Sequence, residues 1–242
     1  MTRKASLLAA VAASVVLAGV SAQADTLSSP GWINGTGNPQ DNFTVTNTGG
    51  IELGLRAKYR HNPVTIAPSG NTYTVVPGLE TNETSGGNGS STRAAWNHEY
   101  SLNVNGAGLT LGDIFANLTV TGPGGGPTTV DILNAPYTTD NTGFGPGGEH
   151  DGPVIFALPT DWLAQNSENP SFANFPIAYN PNTTGLYTFT LDVGLKGGAT
   201  LASDTIQVNV AAAPLPSAAF AGLGLLGGLG AFGLKRRPRQ TV

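Results

Sequence analysis

Residues 187–193 read Tyr-Thr-Phe-Thr-Leu-Asp-Val and residues 206–210 read Ile-Gln-Val-Asn-Val. In the first run Tyr187, Phe189, Leu191 and Val193 fall on one side of an extended chain, and Thr188, Thr190 and Asp192 on the other. Ile206, Val208 and Val210 alternate with Gln207 and Asn209 in the same way. Strand side chains point alternately to opposite faces, so a period of two specifies half-buried strands. Similar runs lie upstream at Phe43 to Thr48, Ile51 to Arg60, Thr72 to Val76, His98 to Val104, Asn117 to Thr121, Thr129 to Leu133 and Val154 to Leu158. About nine strands separated by Gly, Pro, Asn and Asp predict an all-β fold, a single antiparallel β-sandwich. One helix is expected, around Thr160 to Gln165, capped by Thr160 or Asp161.

Two segments are too rich in Gly, Ser and Asn to pack and are expected as loops: Leu79 to Ser91 and Gly122 to Pro127. A third, Thr138 to Pro153, has 16 residues without regular periodicity. Loops of that length are either functional or disordered, and periodicity does not choose between them. The chain has no cysteine, so disulfides are excluded and burial alone must stabilise the fold. The 189 residues from 25 to 213 suffice for one domain that buries about 70% of the surface its unfolded chain exposes.

The two ends have a different character. Arg3 and Lys4 form a positive region, Leu7 to Val20 an apolar one, and Ala22-Gln23-Ala24 a small-residue cleavage site. This is the pattern of a secretory signal peptide, with Asp25 as the first mature residue. At the other end Pro214, Leu215 and Pro216 precede the charge-free stretch Ser217 to Leu234, which is closed by Lys235, Arg236, Arg237 and Arg239. As a helix those 18 residues would span roughly 27 Å, close to a bilayer core. Six are Gly and only Ser217 is polar, which disfavours a surface helix in water and suits a transmembrane helix with its basic end on the cytoplasmic side.

This tail resembles the C-terminal sorting signal of the PEP-CTERM proteins, its VPLPA-like variants in particular, which bacterial exosortases recognise. Such tails have also been labelled an ice-binding-protein C-terminal domain. The resemblance covers Pro214 to Arg239. It departs from the PEP form at Leu215, where Glu would stand, and from the VPLPA form at Ala213 and Ser217, which leaves the sortase variant open. Trp162 to Phe172, with Ile51 to Lys58 and Arg93 to Trp96, is similar to a recurrent ectodomain type among small PEP-CTERM proteins, one that brings no catalytic residues with it. Membership implies residues 1–24 as signal peptide, 25–213 as ectodomain and 214–239 as sorting and anchor segment. It further implies signal peptidase and an exosortase-like membrane peptidase as processing partners. The chain would be held in the inner membrane for a time, then released to the cell surface or matrix.

Between the two end segments five basic residues face fifteen acidic ones, a formal net charge of −10. A nucleic-acid partner is thereby disfavoured, since phosphate binding needs a basic footprint. Cations or a neutral surface polysaccharide fit better. Gly222, Gly224 and Gly227 match G-x-G-x-x-G but lie inside the apolar tail segment, without the strand and acid that a dinucleotide site needs. His98-Glu99 lacks the second His of a zinc protease, because position 102 is Leu, and it sits in a strand pattern. Gly86-Gly87-Asn88-Gly89 opens like a calcium-binding repeat, yet Ser91 takes the Asp position and nothing recurs, so it reads as loop.

The remaining candidates for metal or acid–base chemistry are Asp140, Glu149, His150 and Asp151. Oxygen ligands on a Gly-rich loop could hold calcium, and His with carboxylates could hold zinc or exchange protons. Solvated loop charges are the simpler account. Trp32, Trp96 and Trp162 suit either sugar stacking or core packing, of which packing is the commoner fate. Asn166, Ser167 and Asn169 read as turn-formers. No cofactor is expected. The expected role is non-enzymatic, structural or interactive, at the cell surface or in the matrix. A carbohydrate-binding or calcium-dependent adhesion module is the alternative, and a hydrolase built on two distant carboxylates a third possibility.

Overall fold

The computed structural model describes residues 25–27, 42–60, 66–81, 89–134, 142–145, 148–150 and 158–212, with backbone course only for 25–27, 142–145 and 148–150. Among them are twelve strands: β1 (Asp25–Leu27), β2 (Phe43–Thr48), β3 (Ile51–Tyr59), β4 (Thr72–Val75), β5 (Trp96–Asn103), β6 (Ile114–Gly122), β7 (Gly125–Asp131), β8 (Thr142–Gly145), β9 (Gly148–His150), β10 (Leu163–Glu168), β11 (Gly185–Leu195) and β12 (Thr200–Val210). The fold is all-β. Its only described helical turns are two 3-10 segments, Asn105–Ala107 and Leu111–Asp113, and the second is closed by a capping box between Thr110 and Asp113.

The strands form two sheets, one of seven in the order β1-β2-β3-β5-β10-β8-β9 and one of five in the order β4-β12-β11-β6-β7. Alternation determines what faces inward. Leu53, Leu55 and Ala57 of β3, Trp96, Tyr100 and Leu102 of β5, Leu118 and Val120 of β6, Phe189 and Leu191 of β11, and Ile206 and Val208 of β12 all belong to one buried cluster. Both sheets therefore contribute to one core. Trp96 spans it, with its ring centroid 5.6 Å from that of Tyr187 and 6.2 Å from that of Phe189.

Several expectations are corrected. Thr160 to Gln165 is no helix: β10 begins at Leu163 and pairs with β5 along its whole length. Asp161 closes a turn instead, its Oδ2 accepting from the Leu158 backbone N–H at 2.7 Å. Propensity lost there to pairing with a central strand. The stretch Thr138 to Pro153 contains β8 and β9, which continue the first sheet beyond β10, and Gly125 to Pro127 belongs to β7 rather than to a loop. The pairing is not antiparallel throughout, because β4 runs parallel to β12. The chain leaves β3 in one sheet and enters β4 at the edge of the other, so no tight hairpin dictates its direction there. Of the strand expected at Val154 to Leu158, residues 154–157 lie outside the described residues and Leu158 is not extended in a sheet.

The β2–β3 hairpin turns through Gly49 and Gly50, with φ of 59° and 84°, the two positive values that a two-residue turn of the favoured hand requires. Gly50 also lies against the first 3-10 turn, where an added Cβ would sit 2.4 Å from the Gly106 backbone carbonyl; at Gly49 nothing lies within 4 Å. Gly49→Ala should cost only the left-handed penalty of about 1–2 kcal/mol. Gly50→Ala adds a backbone collision and should cost clearly more, on the order of 3 kcal/mol. Urea denaturation of the two variants in parallel tests the difference.

Candidate functional site

The face of the seven-stranded sheet opposite the shared core carries an unusual set of buried side chains. Alternation sends Arg56 and Lys58 of β3, and Asn97, Glu99 and Ser101 of β5, to that side, where all are buried. Arg56 and Glu99 are register partners, and the pairing splits the Glu99 carboxylate. Its Oε2 takes the Arg56 guanidinium and its Oε1 the Lys58 ammonium at 2.9 Å, with both Arg56 and Glu99 wholly buried. Burial pushes the Lys58 pKa down, and the adjacent Glu99 charge counters that shift. The Arg56 guanidinium lies 4.0 Å from the centroid of the Phe43 ring, which stacks over it.

Neighbouring polar pairs complete the strip: Gln165 donates to Ser101 Oγ at 3.0 Å, and Asn97 donates to Ser167 Oγ at 2.9 Å. Asn169 forms a turn as expected, its Oδ1 accepting from the Ser171 N–H at 3.0 Å, and it does more. Its side chain accepts from the Ala94 N–H and donates toward the Ala94 carbonyl, each at 3.0 Å, and it reaches Asn97 Oδ1 at 2.7 Å. It thereby fixes the entry to β5. Asn166 and Ser167 are strand residues of β10.

Two further ionisable groups lie on the core side. His98 is fully buried, its ring stacked 4.8 Å from Phe189 and tilted 5.8 Å from Phe175, and its pKa is pushed down to about 3 by burial. Neither ring nitrogen has a hydrogen-bond partner. Asp204 of β12 points inward between the sheets, where burial raises its pKa to about 7 although Thr205 and Thr46 donate to it. Beside it the Tyr73 hydroxyl donates to the Asn42 carbonyl at 2.7 Å and lies 3.0 Å from Thr44 Oγ1; burial pushes its pKa up to about 12.

Glu149 and His150 lie in β9, opposite Phe144 and Gly143 of β8. Asp140, Asp151 and Trp32 lie outside the described residues, as do Ala22, Ala24, Pro214, Leu215, Pro216 and the span Ser217 to Leu234. Trp96 is a core residue with no exposed surface, and Trp162 packs half-buried against the same cluster. His98 and Glu99 point to opposite faces of β5 and cannot share a metal. Among the described residues no group of three His, Asp or Glu could hold a metal ion, and no helix is long and apolar enough to cross a membrane.

Small cavities occur among the described residues. One of about 130 Å³ lies between Asp131 and Lys196 and is floored by Leu111 and Ile114; one of about 210 Å³ is bounded by Tyr179, Tyr187, Asn180 and Pro123. No model of a known protein family matches the chain, and no curated protein matches it.

Glu99→Gln should destabilise the fold by about 3–5 kcal/mol, because it leaves Arg56 and Lys58 buried without their counter-charge. Chemical denaturation measures this; a loss below 1 kcal/mol would show that the cluster is solvated. For Asp204 the sign follows from proton counting. The unfolded chain releases this proton near 3.8 and the native chain near 7, so native protein holds more protons between those values and loses stability as pH rises through them. Asp204→Asn removes that loss. The stability of the variant minus that of wild type should therefore grow by about 2–3 kcal/mol from pH 5 to pH 8, read from urea midpoints at the two pH values.

Proposed function

We propose that this is an exported cell-surface or matrix protein whose residues 25–213 form a β-sandwich ectodomain with a structural, non-enzymatic role. The observation that carries the reading is the joint presence of a signal-peptide pattern at Arg3 to Ala24 and a sorting-type tail at Pro214 to Arg239 around an all-β body. β1 starts at Asp25, the residue that cleavage after Ala24 would leave first, so the expected cut spares the described fold. β12 ends at Val210, four residues before Pro214. A membrane peptidase working at Pro214 to Ser217 would therefore cut C-terminal to the last described strand.

In this reading the tail helix holds the motif at the membrane face until an exosortase-like enzyme cuts it, and the acidic body remains outside. The absence of cysteine is compatible with export because the core seals itself with aromatic and β-branched side chains from both sheets.

Mass spectrometry of surface-released protein should give an N-terminus at Asp25 and a C-terminus close to Ala213. Replacing Pro214 and Pro216 together should trap the full-length form in the membrane. Released protein that still carries Lys235 to Val242 would remove the sorting step and leave an ordinary single-span protein.

A further inference from the structure

The solvent face of the five-stranded sheet has an order that the sequence shows only in fragments. Within this sheet Thr-x-Thr occurs at 72–74, 119–121 and 188–190, on β4, β6 and β11. The register brings these together. Thr129 of β7 is opposite Thr119 of β6, Thr119 is opposite Thr190 of β11, and Thr190 is opposite Thr205 of β12. One rank of four threonines thus crosses four strands. The next rank runs Thr121, Thr188, Gln207 and Thr72 across β6, β11, β12 and β4. All eight side chains are half-buried or exposed.

Within these ranks the hydroxyls are aligned by their neighbours: Thr119 and Thr129 lie 2.8 Å apart, Thr190 and Thr205 3.0 Å apart, and Thr72 donates to Gln207 Oε1 at 3.2 Å. Each such contact uses one proton and leaves further donor or acceptor capacity toward solvent. Branching at Cβ stiffens every threonine, so the array is ordered before anything binds, which lowers the entropic cost of a contact. The two ranks hold no charged side chain. Asp131 and Asp192 stand in the adjoining rank, with Asn117 between them and Ser203 beyond.

We propose that this face binds an extended, uncharged polysaccharide, its chain running along the ranks and across the strands. The ligand chemistry follows from the surface. Hydroxyl and methyl groups alternate on it as hydroxyl and C–H groups alternate on a sugar ring, and the neutral ranks offer nothing to a polyanion that the net charge of −10 would also repel. Neighbouring strands are about 4.7–4.9 Å apart, close to the advance of one pyranose along an extended β-linked chain, so each strand meets one sugar unit. The two ranks lack the aromatic or Arg anchors that carry most protein–protein interfaces, and a sugar chain would be held on them by hydrogen bonds rather than by ring stacking. The proposal rests on the surface-protein reading for the setting in which such a polymer is encountered.

The test uses the full-length protein in mild detergent, pelleted with swollen cellulose, curdlan or β-mannan, with alginate as the anionic control. Wild type should be retained on at least one neutral polymer and not on alginate. The triple variant Thr119→Val, Thr190→Val, Thr205→Val keeps side-chain shape and removes three hydroxyls; its retention should fall at least tenfold. Thr121→Lys, a single change at an exposed position, should weaken retention as well and provides a second variant should the triple fold poorly. Circular dichroism checks each fold. Failure of wild type on all three neutral polymers overturns the proposal, as does retention of both variants at the wild-type level. Self-association that both variants abolish, without any glycan retention, would assign the face to a second copy of the chain. Loss of processing at Pro214 to Ser217 does not affect this binding assay, so the two readings fail separately.

Discussion

Trp96 meets Tyr187 and Phe189 where the fourth strand of one sheet faces the central strand of the other. With no disulfide available, the cohesion between the sheets comes from side-chain contacts, apolar ones of this kind together with the Thr46–Asp204 and Thr44–Tyr73 hydrogen bonds. A wholly buried indole contributes more apolar area than any other side chain, and its edge-to-face geometry with Phe189 adds a directional preference to that burial. Register elsewhere depends on it. A slip of β5 by one residue would put Trp96 on the outer face and Glu99 in the core. The buried Arg56–Glu99–Lys58 cluster penalises the same slip from the opposite face, since only one alignment of β3 with β5 brings the three charges together. Apolar burial and ionic pairing therefore select one register independently.

Much of the fold was legible where one face of a strand is apolar and the other polar. Phe43 to Thr48 coincides with β2, and the alternating runs near 190 and 208 lie inside β11 and β12. Legibility failed where both faces of a strand are polar or small. Leu163–Glu168 reads Leu-Ala-Gln-Asn-Ser-Glu, in which Leu, Ala, Gln and Glu favour helix and no period of two is visible, and it is a strand because its polar groups find partners across the sheet at Ser101, Asn97 and within β10 itself. β8 and β9 were hidden by glycine in the same way, since a strand held by backbone pairing leaves little trace in side-chain pattern.

The polar centres were harder to foresee than the strands. Arg56 and Glu99 are 43 positions apart, and nothing local to either signals the other. The threonine pairs were visible as three short repeats, but their alignment into ranks depends on pairings between residues as far apart as Thr72 and Gln207, and these exist only once the sheet has formed. The acidic candidates around 140 to 151 drew notice because they are close in sequence. His98 was read only beside Glu99, as an incomplete zinc motif, and Asp204 stands alone in sequence, so neither signalled its own burial. Burial, rather than clustering, is what perturbs them.

The position of β12 has a mechanical consequence. It is an interior strand, hydrogen-bonded to β11 along one side and to β4 along the other, and the chain leaves the sheet from its end at Val210. Tension applied from beyond that point acts along the strand axis. It loads the ladders to both neighbours in shear, so that many hydrogen bonds must yield together, whereas a pull across an edge strand such as β7 would open them one at a time. The polypeptide emerges where the sheet is strongest against being drawn out, with the Val208 and Ile206 side chains keyed into the core behind it.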